Sequence, residues 1–130
     1  MDAGSRDAEP PGQRLPRAAR ITASAEIRTI FKRGKRRRTR HLDAFVSPSP
    51  FAFPRLGVVV PKHKHTIVER NLVKRRLREI GRTVLLPALG NSGRALDVLL
   101  RARPEAYDAP YAALLDELRA LTEELCSRAS

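Results

Sequence analysis

The 130-residue sequence holds one cysteine, one methionine, no tryptophan, two tyrosines and four phenylalanines. A lone thiol, Cys126, excludes an internal disulfide framework and any multi-thiolate zinc site. It falls on a helical pattern and reads as an inert helix residue. No apolar run approaches the ~20 residues of a membrane-spanning helix. The N-terminal stretch carries Asp2 and Asp7 and has no apolar block, so no signal peptide is expected and the expected compartment is the cytoplasm. Acids are scarce where protein catalysis would need them. Across residues 21–82 only Glu26, Asp43, Glu69 and Glu79 are acidic, and they are scattered. A nuclease with its own active site needs clustered carboxylates around metal ions, or a histidine pair for acid–base work. His63 and His65 flank Lys64 without an adjacent acid or thiol, a poor metal pair. No catalytic side chain and no metal or cofactor bound by the protein alone is expected.

Positive charge is abundant. Lys and Arg number 26 against 14 acids, a net charge of +12 with a sequence pI near 11.3. The excess is regional: residues 1–20 carry +1, residues 21–82 carry +13 and residues 83–130 carry −2. Such a concentration says little about fold but points to a polyanionic partner, most often nucleic acid.

Residues 1–20 contain Pro10, Pro11 and Pro16 and no period, and are expected to be a flexible N-terminal extension. One domain is expected over 21–126, followed by a tail at 127–130. Ile27, Ile30 and Phe31 share a helical face, with a cap near Thr22 or Ser24 and a stop at Gly34. The basic run that follows, Arg33, Lys35, Arg36, Arg37, Arg38 and Arg40, reads as a loop or a charged lead-in to a strand. His41–Ser47 alternates, with Leu42, Ala44 and Val46 opposite His41, Asp43 and Phe45. Leu56–Val60 reads as a buried strand ended by Pro61. Ile67 to about Leu85 reads as a helix ended by Pro87, Gly90 and Gly93, and Ala95–Arg101 as another strand. Tyr111, Leu114, Leu118, Leu121 and Leu125 mark a final amphipathic helix. The order α-β-β-(β)-α-β-α predicts an α+β two-layer sandwich, a central sheet with packed helices.

Glu69–Arg82 is the richest segment. At about 100° per residue, Arg70, Asn71, Lys74, Arg75, Arg78 and Arg82 fall within an arc of about 140°, and Val73, Leu77, Ile80 and Val84 fall opposite. The helix can dock one arc on a sheet and present the other to solvent. Clustered like charges destabilise an isolated helix by a few tenths of a kcal/mol per pair. A phosphate backbone removes that repulsion, and Arg adds bidentate geometry toward phosphate. A merely solvated face would intersperse acids, and here only Glu69 and Glu79 do so.

Arg70-Asn71-Leu72-Val73-Lys74-Arg75-Arg76-Leu77-Arg78-Glu79 resembles the Arg-Asn-Arg signature and basic helix of the bacterial ribonuclease P protein component. LGVVVPK (Leu56–Lys62) is similar to that family's preceding strand, and EIRTIFKRGKR (Glu26–Arg36) to its first helix and glycine turn. The ordered match spans roughly Ile21 to Leu121. The sequence departs from the family at Leu72, where the second signature Arg is replaced, at Ile27, often aromatic in the family, and at Lys62-His63, often a Lys pair.

The resemblance implies a fold like the ribosomal protein S5 domain 2-like fold, with a left-handed βαβ crossover. It implies a subunit of an endoribonuclease that removes the 5′ leader of precursor tRNA hydrolytically, with the RNA subunit and its Mg2+ as catalyst. The implied partners are that catalytic RNA and precursor tRNA, with no membrane and no protein partner required. The signature helix would hold the catalytic RNA through Arg70, Asn71, Lys74, Arg75, Arg78 and Arg82. Ile27, Phe31 and Phe45 match leader-cleft positions, and Lys62 matches a basic rim residue.

The residues themselves support a second surface. Phe45 lies on the strand face opposite Leu42 and Val46, and Phe31 lies one turn after Ile27. An aromatic ring beside cations can stack an unpaired base, worth ~1–3 kcal/mol; otherwise both rings are core, as Ile30 is expected to be. The basic run would track RNA phosphates. The competing reading is a structural RNA-binding protein of the ribosomal type, without a role in cleavage.

Overall fold

The structure, a computed structural model, describes residues 15–62 and 64–127. Its centre is a four-stranded mixed sheet of β1 (Lys35–Arg38), β2 (Leu42–Pro48), β3 (Arg55–Val59) and β4 (Leu96–Ala102), in the spatial order β1-β2-β4-β3. β1–β2 and β2–β4 pair antiparallel, and β3–β4 pair parallel. Parallel neighbours need a long crossover, and here it carries α2 (Ile67–Ile80) and α3 (Leu86–Asn91). α1 (Ser24–Arg33) precedes the sheet and α4 (Tyr111–Ser127) follows it. The chain is therefore α+β, as expected, and the optional extra strand is β1.

The period-2 alternation of β2 sorts the sheet into two faces. Leu42 and Ala44, with Leu56, Val98 and Leu100, meet Val73, Leu77 and Ile80 of α2 and Leu114, Leu118, Leu121 and Leu125 of α4 in the main core. Phe45 and Leu99 point the other way and form a second, smaller cluster with Ile21 and Ile30. α1 covers only this second face.

Four local expectations are corrected. The basic run is neither loop nor lead-in: Lys35–Arg38 is an edge strand in register with Val46–Asp43. α1 begins after Ala23, with no side-chain cap; it stops at Gly34 as expected, and Gly34 is extended (φ −68°) because the chain passes directly into β1. The central helix does not stop near Leu85. Gly81–Leu85 forms a π-helical turn and α3 continues to Asn91, with Pro87 in its first turn, where a missing N–H costs little. The extension expected over residues 1–20 loses its last part to the fold. Leu15 lies in the main core, Arg17–Ala19 forms a 3₁₀ turn, and Arg20 bridges Leu56 in parallel. This segment covers the otherwise open edge of β3. Residues 1–14 and 128–130 lie outside the described residues; Ser127 belongs to α4.

Candidate nucleic-acid interface

α2 is fixed at its start by a capping box. The Glu69 amide donates to the Thr66 hydroxyl (3.1 Å), and the Thr66 amide donates to the Glu69 carboxylate (2.8 Å). That leaves the first turn well formed although Ile67 and Val68 are 69% and 78% exposed. Val73, Leu77 and Ile80 are buried, while Asn71, Arg75 and Arg78 are exposed and Lys74 is half-buried. These four share one outward surface, as the helical spacing predicts.

Two of the six predicted helix residues depart from a free cationic arc. Arg70 is half-buried and its Nε is fully enclosed without a hydrogen-bond partner. Arg82 is half-buried and its Nη2 donates to both Glu79 carboxylate oxygens at 2.8 Å. The regular angular step ends at Ile80, and the π-helical turn displaces Arg82 toward Leu15, Pro16, Leu86 and Pro87. Leu72, at the position of the second signature Arg, is 40% exposed beside the cations.

The loop before α2 is pinned from the far side of the chain. The Tyr107 hydroxyl donates to the Pro61 carbonyl (2.9 Å), and the His65 ring lies parallel to the Tyr107 ring at 3.6 Å. His65 also pairs with Glu69, so it serves the helix cap; His63 lies outside the described residues. Among the described residues no three His, Cys, Asp or Glu side chains come together to hold a metal ion.

The second surface lies on the other side of the sheet. The Phe31 and Phe45 rings meet edge to face, centroids 4.9 Å apart at 89°. Ile27, Phe31 and Val59 are half-buried against the Ile21, Ile30, Phe45 and Leu99 cluster. Ile30 is core, as expected. Phe45 is only 6% exposed and forms the floor. Phe31 is the accessible ring, and it opens onto a depression lined by Arg28, Thr29 and Lys32. Lys62 is exposed just past β3, whose Val59 pairs with Arg101, but no contact joins it to the rings.

Two ionic clusters fix this cleft. At one end Arg55, 5% exposed, donates to Asp97 through Nε (2.9 Å) and Nη2 (2.7 Å), and to Glu26 of α1 (3.1 Å). This ties the first turn of α1 to β3 and β4. Its bidentate bond to Asp97 raises the guanidinium pKa, against the cost of burial. At the other end Asp43, 4% exposed, accepts from Arg36 (3.1 Å) and Arg101 (3.2 Å). Burial alone would raise the Asp43 pKa, but the bonds from Arg101 and Arg36 and their charge hold it below the usual carboxylate range. Arg101 stands 5.3 Å from the centroids of both Phe31 and Phe45, and Arg36 stands 5.9 Å from Phe45.

The basic run is divided by strand alternation and does not act as one patch. Arg36 turns toward the cleft, whereas Arg37 pairs with Glu124 of α4 (2.9 Å). Arg33, Lys35, Arg38 and Arg40 are exposed. Sequence reasoning missed Arg101 and the role of Asp43. The available signal was a charge of each sign inside an otherwise apolar strand.

The chain as a whole has counterparts among known proteins. The family model described as Ribonuclease P matches residues 15–126. A "Ribonuclease P protein component" of Ralstonia pickettii is 38% identical over 99 residues, covering 75% of this chain and 69% of that one. Another, of Thermus aquaticus, is 40% identical over 114 residues, covering 85% and 65% respectively. The RNase P protein structure of Staphylococcus aureus matches with a TM-score of 0.69 at 25% identity, over 83% of this chain and 95% of that one. The RNase P protein of Thermotoga maritima matches at a TM-score of 0.66 and 22% identity, over 81% and 96%, a likeness of fold.

Proposed function

Because the chain belongs to the ribonuclease P protein family, we propose that it works as the non-catalytic half of a ribonucleoprotein that leaves bond cleavage to RNA. Its membership makes it a subunit of a ribonuclease, partnered with ribonuclease P RNA in maturing tRNA 5′ ends. Within that assembly, read as cytoplasmic, the outward surface of α2 grips the catalytic RNA through Asn71, Lys74, Arg75 and Arg78, with Arg70 at its inner edge and Arg82 at its end. The cleft of Ile27, Phe31 and Phe45, with Lys62 at its exit, takes the single-stranded 5′ leader of precursor tRNA. The exposed cations Arg33, Lys35, Arg38 and Arg40 extend the phosphate track.

Cleavage is assigned to the RNA subunit, and Mg2+ with it. What supports this is how the protein's acids are used: Asp97 and Asp43 are buried against arginines, and Glu117 is paired with His41. Each of these three carboxylates is held by a basic side chain of the same chain.

The observation that carries the reading is the docking of α2, apolar arc buried and amide-and-cation arc outward. Reconstitution with a bacterial ribonuclease P RNA at low magnesium tests it. The protein is expected to raise precursor cleavage over RNA alone. The triple substitution Lys74→Gln, Arg75→Gln, Arg78→Gln is expected to weaken RNA-subunit binding at least tenfold while the chain still folds. No gain from the wild-type protein would reject the reading.

A further inference from the structure

Arg101 is out of place for a strand in the middle of a sheet. β4 lies between β2 and β3, and its other cleft-side neighbours are Leu99 and Asp97. A cation is tolerated there because Asp43 sits directly across from it in register. The pair does not simply cancel. Asp43 also takes Arg36, so one buried carboxylate serves two guanidiniums and leaves a net positive charge at the cleft. Arg101 has five N–H donors, and its only hydrogen bond among the described residues uses Nη2. Its side chain remains 36% exposed while its guanidinium stands 5.3 Å from both ring centroids.

A guanidinium held by a carboxylate on one edge and by aromatic rings beneath has lost most of its rotamer freedom before any ligand arrives. Less entropy is then lost on binding. We propose that Arg101 contacts a phosphate of single-stranded RNA lying in the cleft, and that Asp43 is its positioning residue. Arg101 is the better candidate than Arg36, which sits on the edge strand and approaches one ring only. Phe31 supplies the accessible, half-buried ring for the base, and Arg101 binds the phosphate next to it. The inference rests on the cleft being the leader site.

The test uses holoenzyme reconstituted with a bacterial ribonuclease P RNA, binding precursor tRNA with a leader and the same tRNA without one. Arg101→Met keeps the apolar stem and removes the donors. It is expected to weaken leader-bearing precursor by about tenfold, as for loss of a charged hydrogen bond, and to leave leaderless tRNA unchanged. Asp43→Asn is expected to weaken the precursor by a smaller factor in the same leader-dependent way, which a merely structural acid would not do. Replacing single leader phosphates by neutral methylphosphonates adds a direct readout. One such position should weaken wild type and have no further effect on Arg101→Met. Phe31→Ala is the control for the cleft itself. If Phe31→Ala loses leader dependence and Arg101→Met does not, the proposal is overturned while the leader-site reading stands. If neither variant responds to the leader, the leader-site reading falls and the proposal with it. An equal loss with and without leader overturns the proposal as a general charge effect. Should Arg101→Met fail to fold, the double variant Asp43→Asn/Arg101→Met, which leaves no buried charge unpaired, carries the same comparison.

Discussion

Glu117 ties α4 to the start of β2. It accepts from the His41 backbone amide (3.1 Å) and pairs with the His41 ring. Burial alone would raise the Glu117 pKa, but hydrogen bonds from His41 and Thr39 outweigh it and hold the carboxyl below its ordinary range. Asp43 is held low by Arg101 and Arg36 in the same net sense. A carboxyl whose folded pKa is depressed contributes stability that is present above its unfolded pKa. That stability is lost as pH falls through the folded value. The expected result is a urea midpoint that falls steeply from about pH 5 toward pH 3. Glu117→Gln should be less stable than wild type at neutral pH and converge on it at the acid end. A difference that stayed constant across that range would show that the paired charge is not what stabilises. At this scale the sequence was legible where alternation decides direction: Phe45 faces away from Leu42 and Val46, as expected. It was not legible for Asp43 and Arg101, which are 58 positions apart. Only the β2–β4 register joins them, and no local spacing encodes it.

Among the elements, α2 could be read almost completely because a cap, an apolar arc and a cationic arc agree on one helix. Its end could not. Pro87 marks a stop only if the helix stays α-helical, and the π-helical turn carries the chain past it. β1 escaped detection because an edge strand of four cations has no apolar alternation to show; its charges suit an edge that must not pair with another chain. Gly81, just after α2, is where the helix comes closest to the sheet. A Cβ there would lie 2.3 Å from Leu56 Cδ2, with the Leu56 Cδ1 and Cγ at 3.3 and 3.4 Å. Gly81→Ala therefore sets two effects against each other. Helix propensity favours Ala by about 1 kcal/mol, while overpacking a filled core costs about 1–3 kcal/mol. Leu56 is 1% exposed and enclosed in the main core, so overlap should prevail. Denaturant unfolding is expected to show a net loss of about 1–2 kcal/mol, with RNA affinity falling as the helix lifts. A more stable Gly81→Ala would mean that Leu56 has room to yield.

Across the whole molecule, net charge overstates the surface available to RNA. Arg36, Arg37, Arg55 and Arg82 each meet a carboxylate of this chain. Glu124 and Asp97, from the acidic C-terminal third, neutralise basic residues of the N-terminal part. The regional excess legible in the sequence is thus partly an internal ledger between halves that the fold brings together. Two outward cationic surfaces remain, the free face of α2 and the cleft with its exposed basic flank, on opposite sides of the sheet. If these together meet ~6–10 phosphates, affinity for the RNA subunit should fall ~10³–10⁵-fold between 50 and 200 mM salt. The α2 triple variant should lower the slope of log affinity against log salt by about 3, one for each cation removed. Arg101→Met should leave RNA-subunit binding nearly as salt-dependent as wild type and flatten only the leader-dependent part of precursor binding. Two surfaces that titrate separately with salt would show that one small domain holds a folded RNA and a single strand by independent charge sets. If both variants changed the same slope, the two faces would be one continuous electrostatic site, and the separation by the sheet would have no functional meaning.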